Sequence, residues 1–150
     1  MKASFLSILF LFTSLEIIAQ NKEIIKTDKA PVPIAPYSQG IKANGFLFVS
    51  GQIGLNPTTR KLVEGGVEAE TAQIIENIKA ILTAGGAKLE DILSTTIYLK
   101  NIDDFQKMNT IYGKYFTSNF PTRSTVAVSG LASGANIEIT VTALLPPRRK

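Results

Sequence analysis

The run Asn136-Ile137-Glu138-Ile139-Thr140-Val141-Thr142 alternates between polar and apolar residues at every step and continues apolar through Ala143-Leu144. Strict alternation is the period of a β-strand with two unlike faces. Ile137, Ile139 and Val141 fall on one face, and Glu138, Thr140 and Thr142 on the other. The segment before it, Ser124 to Ser129, reads the same way. Ser124, Val126 and Val128 are assigned to the apolar face, and Arg123, Thr125 and Ala127 to the face that carries Glu138. A glycine-containing loop, Gly130-Leu131-Ala132-Ser133-Gly134-Ala135, joins the two strands. The apolar face predicts a surface covered by helices. The other face has small uncharged residues around one Arg and one Glu, unlike a solvated surface, and suits contact with another subunit.

Moving toward the N-terminus, two amphipathic helices are expected. Val67, Ile74, Ile75, Ile78, Ile81 and Leu82 recur at helical spacing before Gly85-Gly86, which supplies a left-handed helix end. Phe105, Met108, Ile111, Tyr112, Tyr115 and Phe116 form the apolar side of the second helix, with Asp103 read as its N-cap. That aromatic stripe reads as core. Between the helices, Thr95-Thr96-Ile97-Tyr98-Leu99 is a β-branched and aromatic strand signal. Earlier still, Asn44-Gly45 sits between Ile41-Lys42-Ala43 and Phe46-Leu47-Phe48-Val49-Ser50, a tight hairpin signature. Ile24-Ile25-Lys26 is a further short strand. The order of three strands, helix, strand, helix, two strands predicts an α+β fold, a mixed sheet with both helices on one face.

The 150 residues have the composition of one domain, 45% hydrophobic and 19% charged, with no His, Cys or Trp. Without His or Cys there is no Ser-His-Asp or Cys-His nucleophilic site and no thiolate or imidazole metal cage. The net charge of +4 arises from scattered residues, and the one dense run, Arg148-Arg149-Lys150, reads as a solvated tail. No zinc module or ribonucleoprotein motif is present, so nucleic acid is not an expected partner.

Residues 1–20 read as a secretory signal peptide, with Lys2 before the apolar run and cleavage near Ala19 or Gln20. Its run of about eight apolar residues is too short to cross a bilayer, which takes about 20. The domain then occupies 21–150, exported and, in a Gram-negative host, periplasmic, with no stable membrane association after cleavage. The absence of Cys excludes a lipoprotein anchor.

Phosphate-binding loops are missing, and Gly51-Gln52-Ile53-Gly54 lacks the third glycine of a dinucleotide fingerprint. Asp103-Asp104 is explained by the pull of a helix N-terminus on acids. Arg123 and Glu138 remain, assigned to matching parity among small and β-branched residues. A guanidinium there fits a carboxylate, and a carboxylate there can orient or deprotonate water. A structural ion pair fits the same pattern equally well.

Four segments, Ala35-Pro36-Tyr37-Ser38-Gln39-Gly40, Ser50-Gly51-Gln52-Ile53, Phe120-Pro121-Thr122-Arg123-Ser124 and Ile137-Glu138-Ile139, together resemble the reactive intermediate deaminase family, also called Rid or YjgF. The resemblance runs in one collinear order from about Ile24 to Leu145. It implies a chorismate-mutase-like fold, a homotrimer with sites in clefts between subunits, and hydrolysis of imines and enamines of the 2-aminoacrylate type to 2-oxo acids and ammonia. No metal or cofactor is implied. Carried onto this chain, Arg123 grips the substrate carboxylate and Glu138 holds the attacking water. Tyr37, Ser50 and Gly51 shape the pocket and Asn109 braces it. On their residue types alone, these four read as a packing aromatic, a strand-end hydroxyl, a turn glycine and a surface polar residue. Many family members carry Cys where this chain has Thr125, whose hydroxyl can donate and accept but has no thiol chemistry. A non-catalytic trimer that binds small carboxylates or hydrophobic partners is the competing reading. A ribonuclease ranks last.

Overall fold

A computed structural model describes residues 22–147. The proposed signal peptide, its cleavage site and Arg148-Arg149-Lys150 lie outside the described residues. The chain forms strands β1 (Glu23–Ile25), β2 (Gly40–Ala43) and β3 (Phe46–Ile53), helix α1 (Gly66–Gly85) and strand β4 (Ile92–Leu99). Helix α2 (Phe105–Tyr115) and strands β5 (Thr122–Ala127) and β6 (Ile137–Leu144) complete it. The strands lie in one sheet in the order β1-β2-β3-β6-β4-β5, antiparallel throughout except for the parallel pair β4 and β5. This is the expected α+β fold, a mixed sheet with two helices on one face.

Local sequence explains most of these elements. Asn44 and Gly45 have φ of 50° and 80°, the pair of left-handed residues that a tight hairpin turn requires. Gly86, at φ 84°, ends α1, its N–H directed at the carbonyls of Leu82 and Thr83. The start of the second helical region differs from expectation. Asp103 does not cap it; Asn101 Oδ1 accepts the Asp103 N–H at 3.1 Å and opens a 3₁₀ turn, Ile102–Asp104, that leads into α2. The Asn101 side chain accepts the amide two residues on, an Asx turn that starts the 3₁₀ turn ahead of α2.

The core lies between the sheet and the helices. Ile74, Ile78 and Ile81 of α1 and Met108 and Tyr112 of α2 pack with Leu47, Val49, Ile97, Leu99, Ile137, Ile139 and Val141 of the sheet. The apolar parity assigned to β6 therefore holds. That assigned to β5 does not. In the parallel register Thr95 pairs with Arg123, Ile97 with Thr125 and Leu99 with Ala127. Thr95, Ile97 and Leu99 are buried on the helix side, so Arg123, Thr125 and Ala127 lie there too. Val126 pairs with Tyr98 on the opposite, open face and is 45% exposed. Phe48 and Leu144 also stand half exposed in the sheet, and Phe48 is in register with Thr142 on that open face.

Candidate functional site

The register places the two charged candidates apart. Glu138 pairs with Ile53 of β3 and Tyr98 of β4 and projects from the open face. Arg123 stands on the helix side of the outermost strand. The expectation that the two share a face is corrected. Alternation reports two faces but not which of them meets the helices, and both faces of β5 carry apolar residues.

The Glu138 half is built from three segments. Strand β3 shifts register between Val49 and Gln52 where it meets β6, and Gly51 sits in that irregularity as part of the strand. A Cβ at Gly51 would collide with Glu138 Oε1. Hydrogen at this position is what gives the carboxylate its place. Ser50 Oγ donates to the Ser38 carbonyl at 2.6 Å, and the Ser50 N–H donates to the Gln39 carbonyl. Ser50 thereby ties the segment bearing Tyr37 to the strand bearing Gly51. Tyr37, Ser50, Gly51 and Glu138 line one hollow of about 410 Å³, with Ile34 and Ala132 among its apolar walls. Burial pushes the Glu138 carboxyl above the ordinary carboxylate range.

Two residues that sequence reading passed over hold this half together. Gln39 is buried, and its amide donates to the carbonyls of Thr27, Ala30 and Pro31 while its Oε1 accepts the Thr27 N–H. It folds the Pro-rich stretch into a fixed wall. Its signal was its place next to Tyr37-Ser38 after three prolines. Glu70 of α1 is buried, and its two oxygens accept the backbone N–H and the side-chain amide of Asn136, the residue before β6. A carboxylate within an apolar helix face was the signal there.

The Arg123 half lies at the β5 edge of the sheet. Arg123 Cζ is 5.0 Å from the centroid of the Tyr112 ring and 5.8 Å from that of Phe105, within cation–π range. Among the described residues its side chain meets no carboxylate within 4.0 Å. A hollow of about 510 Å³ is lined by Arg123, Asn109, Tyr112, Phe116, Phe120 and Pro121. Thr125 lines neither hollow; its Oγ1 is buried without a hydrogen-bond partner among the described residues. No group of three or more Asp and Glu among the described residues is placed to hold a metal ion. Chemically, one half offers a fork of N–H donors for an anion and the other a carboxylate beside a partly apolar wall.

Comparison with known proteins bears on this arrangement. A family model described as endoribonuclease L-PSP matches residues 27–145. A RutC family protein of Saccharolobus solfataricus is 52% identical over 122 residues, 81% of this chain and 97% of that protein. The human 2-iminobutanoate/2-iminopropanoate deaminase is 41% identical over 126 residues, 84% of this chain and 92% of that protein. A solved structure of a Rid family protein of unknown function from Yersinia pestis superposes with a TM-score of 0.81 at 46% identity, covering 83% of this chain and all of that one.

The chain belongs to the Rid family. Of the four segments that carry the resemblance, those with Tyr37, Ser50 and Glu138 line one hollow and the one with Arg123 lines the other.

Proposed function

We propose that this Rid protein hydrolyses imines of 2-amino acids and their enamine tautomers to 2-oxo acids and ammonia, in clefts where the Arg123 half of one subunit faces the Glu138 half of the next. The observation that carries the reading is the split itself. Each half is open and incomplete, and the sheet face beside Glu138 carries half-exposed Val126 and Phe48, apolar surface of the kind that a symmetric oligomer covers. A homotrimer supplies three such clefts. The name of the human relative supports the reaction class.

In the cleft, the Arg123 fork donates paired N–H bonds to the substrate carboxylate. Glu138, whose carboxyl burial holds above the ordinary range, accepts a proton from a water and directs its oxygen at the C=N carbon. A C–O bond forms as the C=N π bond opens, and Glu138 hands the water's proton to the imine nitrogen. Glu138 then takes the carbinolamine's hydroxyl proton and passes it to the amine, the C–N bond breaks, and ammonia departs to leave a 2-oxo acid. The raised proton affinity of Glu138 suits a group that must both take and return a proton. A pure binder of small carboxylates needs Arg123 but has no use for a carboxylate in the facing half. The proposed signal peptide would place this activity outside the cytoplasm, which the mass of the chain recovered from a periplasmic extract tests.

The direct test feeds the chain from Asn21 onward with imines generated by an amino-acid oxidase and traps the remainder with semicarbazide. Faster loss of trapped imine than in buffer, abolished in Arg123→Ala, is the expected result. Equal trapping with and without a folded oligomer overturns the deaminase and favours the binder.

A further inference from the structure

The aromatic residues beneath Arg123 were read from the sequence as core alone. We infer that Tyr112 is a positioning residue for the site, its ring, with Phe105 beside it, fixing the direction in which Arg123 presents its guanidinium to a carboxylate. The inference rests on Arg123 being the anion anchor of the proposed function.

A free arginine side chain samples many rotamers, and holding it for a ligand costs entropy that grows with its four torsions. A resident carboxylate would hold it but would occupy the same N–H fork and cancel its charge. An aromatic ring holds the cation by its face and leaves the N–H donors along its edge free. Among the described residues Arg123 has rings beside it and no carboxylate within 4.0 Å. The Tyr112 ring is itself fixed in three ways. It is 6% exposed in the core, it stacks on Phe116 at 4.2 Å between centroids with planes 16° apart, and its hydroxyl shares a 3.3 Å hydrogen bond with Thr95 Oγ1. Thr95 is the residue in register with Arg123 on the neighbouring strand. The hydroxyl bond therefore ties the ring to the same rung of the sheet that carries the arginine, so the ring cannot drift from the guanidinium without breaking a buried contact. Phe105, packed against the core from the first turn of α2, covers the guanidinium from a second direction.

The test reads the geometry without turnover and then reads its consequence. In the oligomeric protein labelled at arginine nitrogen, the Arg123 Hε resonance, assigned by its loss in Arg123→Lys, is expected upfield of free arginine because of the ring currents. Tyr112→Leu should return it toward the free value, and Tyr112→Phe should keep it. In a titration with 2-oxobutanoate, Tyr112→Leu should raise Kd about fivefold or more. Tyr112→Phe should stay within about twofold, since the ring and not the hydroxyl meets the cation. In steady state the Leu variant should raise KM more than it lowers kcat, a split that general loosening of the fold does not produce. An Arg123 Hε at the free-arginine position in the wild type overturns the inference, as does an unchanged Kd in a folded Tyr112→Leu. If that variant fails to assemble, Phe105→Leu takes its place, and an unmoved Hε there is the overturning result. A wild type that shows the upfield Hε and binds 2-oxobutanoate but hydrolyses no imine overturns the deaminase and leaves this inference standing.

Discussion

Arg123 and Glu138 point from opposite faces of one sheet: Arg123 is in register with buried Thr95 on the helix side, and Glu138 with Tyr98 on the open side. Within one subunit they line different hollows. If the working site pairs Arg123 of one subunit with Glu138 of another, two inactive variants can complement each other. Arg123→Ala and Glu138→Ala, each inactive alone, should regain about one quarter of wild-type activity when unfolded and refolded as an equal mixture, because random trimers hold one intact cleft in three in the mixed species. Activity that stays at the level of the single variants would place both residues in the same subunit's site.

Gly51 and Glu138 make a second, closer pair. A methyl group at Gly51 would fall on the Glu138 carboxylate, the movable end of a side chain, so the strand survives and the carboxylate shifts. Gly51→Ala should lower kcat about 100-fold, the scale of an ångström's misplacement. Its Kd for 2-oxobutanoate should remain close to wild type, because the Arg123 hollow is untouched.

The raised proton affinity of Glu138 has a stability consequence with a definite sign. Burial lifts its folded value above the ordinary one, so the folded state holds the proton more tightly than the unfolded chain. That advantage is complete below the ordinary carboxylate range and is lost as pH rises through the folded value. Glu138→Gln, neutral at all pH, should therefore have a thermal midpoint that climbs relative to wild type between about pH 4 and pH 7. A difference that shrinks over the same interval would show that the folded site favours the charged form.

Glu70→Ala removes the acceptor for both the N–H and the side-chain amide of Asn136. Unsatisfied donors beside a buried pocket cost about 1–3 kcal/mol. The expected result at fixed protein concentration is a lower denaturant midpoint with unchanged slope. Since Asn136 leads directly into β6, kcat should fall as well.

An acidic residue on the open face tests the assembly. Val126→Asp and Phe48→Asp place a charge on half-exposed apolar positions, and each should turn the proposed trimer into monomers in sedimentation velocity. Activity should vanish with the clefts, while the circular dichroism of the helices persists. Trimers that survive both changes would move the interface elsewhere.

The parts legible in the sequence share a physical cause. The Asn44-Gly45 turn, the Gly86 helix end and the spacing of Ile74, Ile78 and Ile81 are set by backbone torsions and by 3.6-residue periodicity, both local. The alternation of β6 was legible because its two faces differ sharply in polarity. Arg123 and Glu138 stood out as charges among residues that are not those of a solvated surface.

Less local features escaped. Acids favour helix N-termini, which makes Asp103 the cap on residue type, whereas in the fold Asn101 opens a 3₁₀ turn by accepting the Asp103 N–H, and α2 starts without a side-chain cap. Tyr112 was assigned to the core, which it joins, but its contact with Arg123 depends on a parallel pairing between strands separated by a whole helix.

The sequence by itself determined the element order and the α+β class, because these follow from local periodicity and turn chemistry, and its motif segments carry the resemblance to the Rid family. Only the tertiary structure decided which way β5 faces. Its apolar residues alternate with Arg123 and Thr125 whichever side is inward, so polarity could not choose, and the choice fell to the register with β4 and to the rings of α2 that receive the guanidinium. That single orientation separates the arginine from the glutamate.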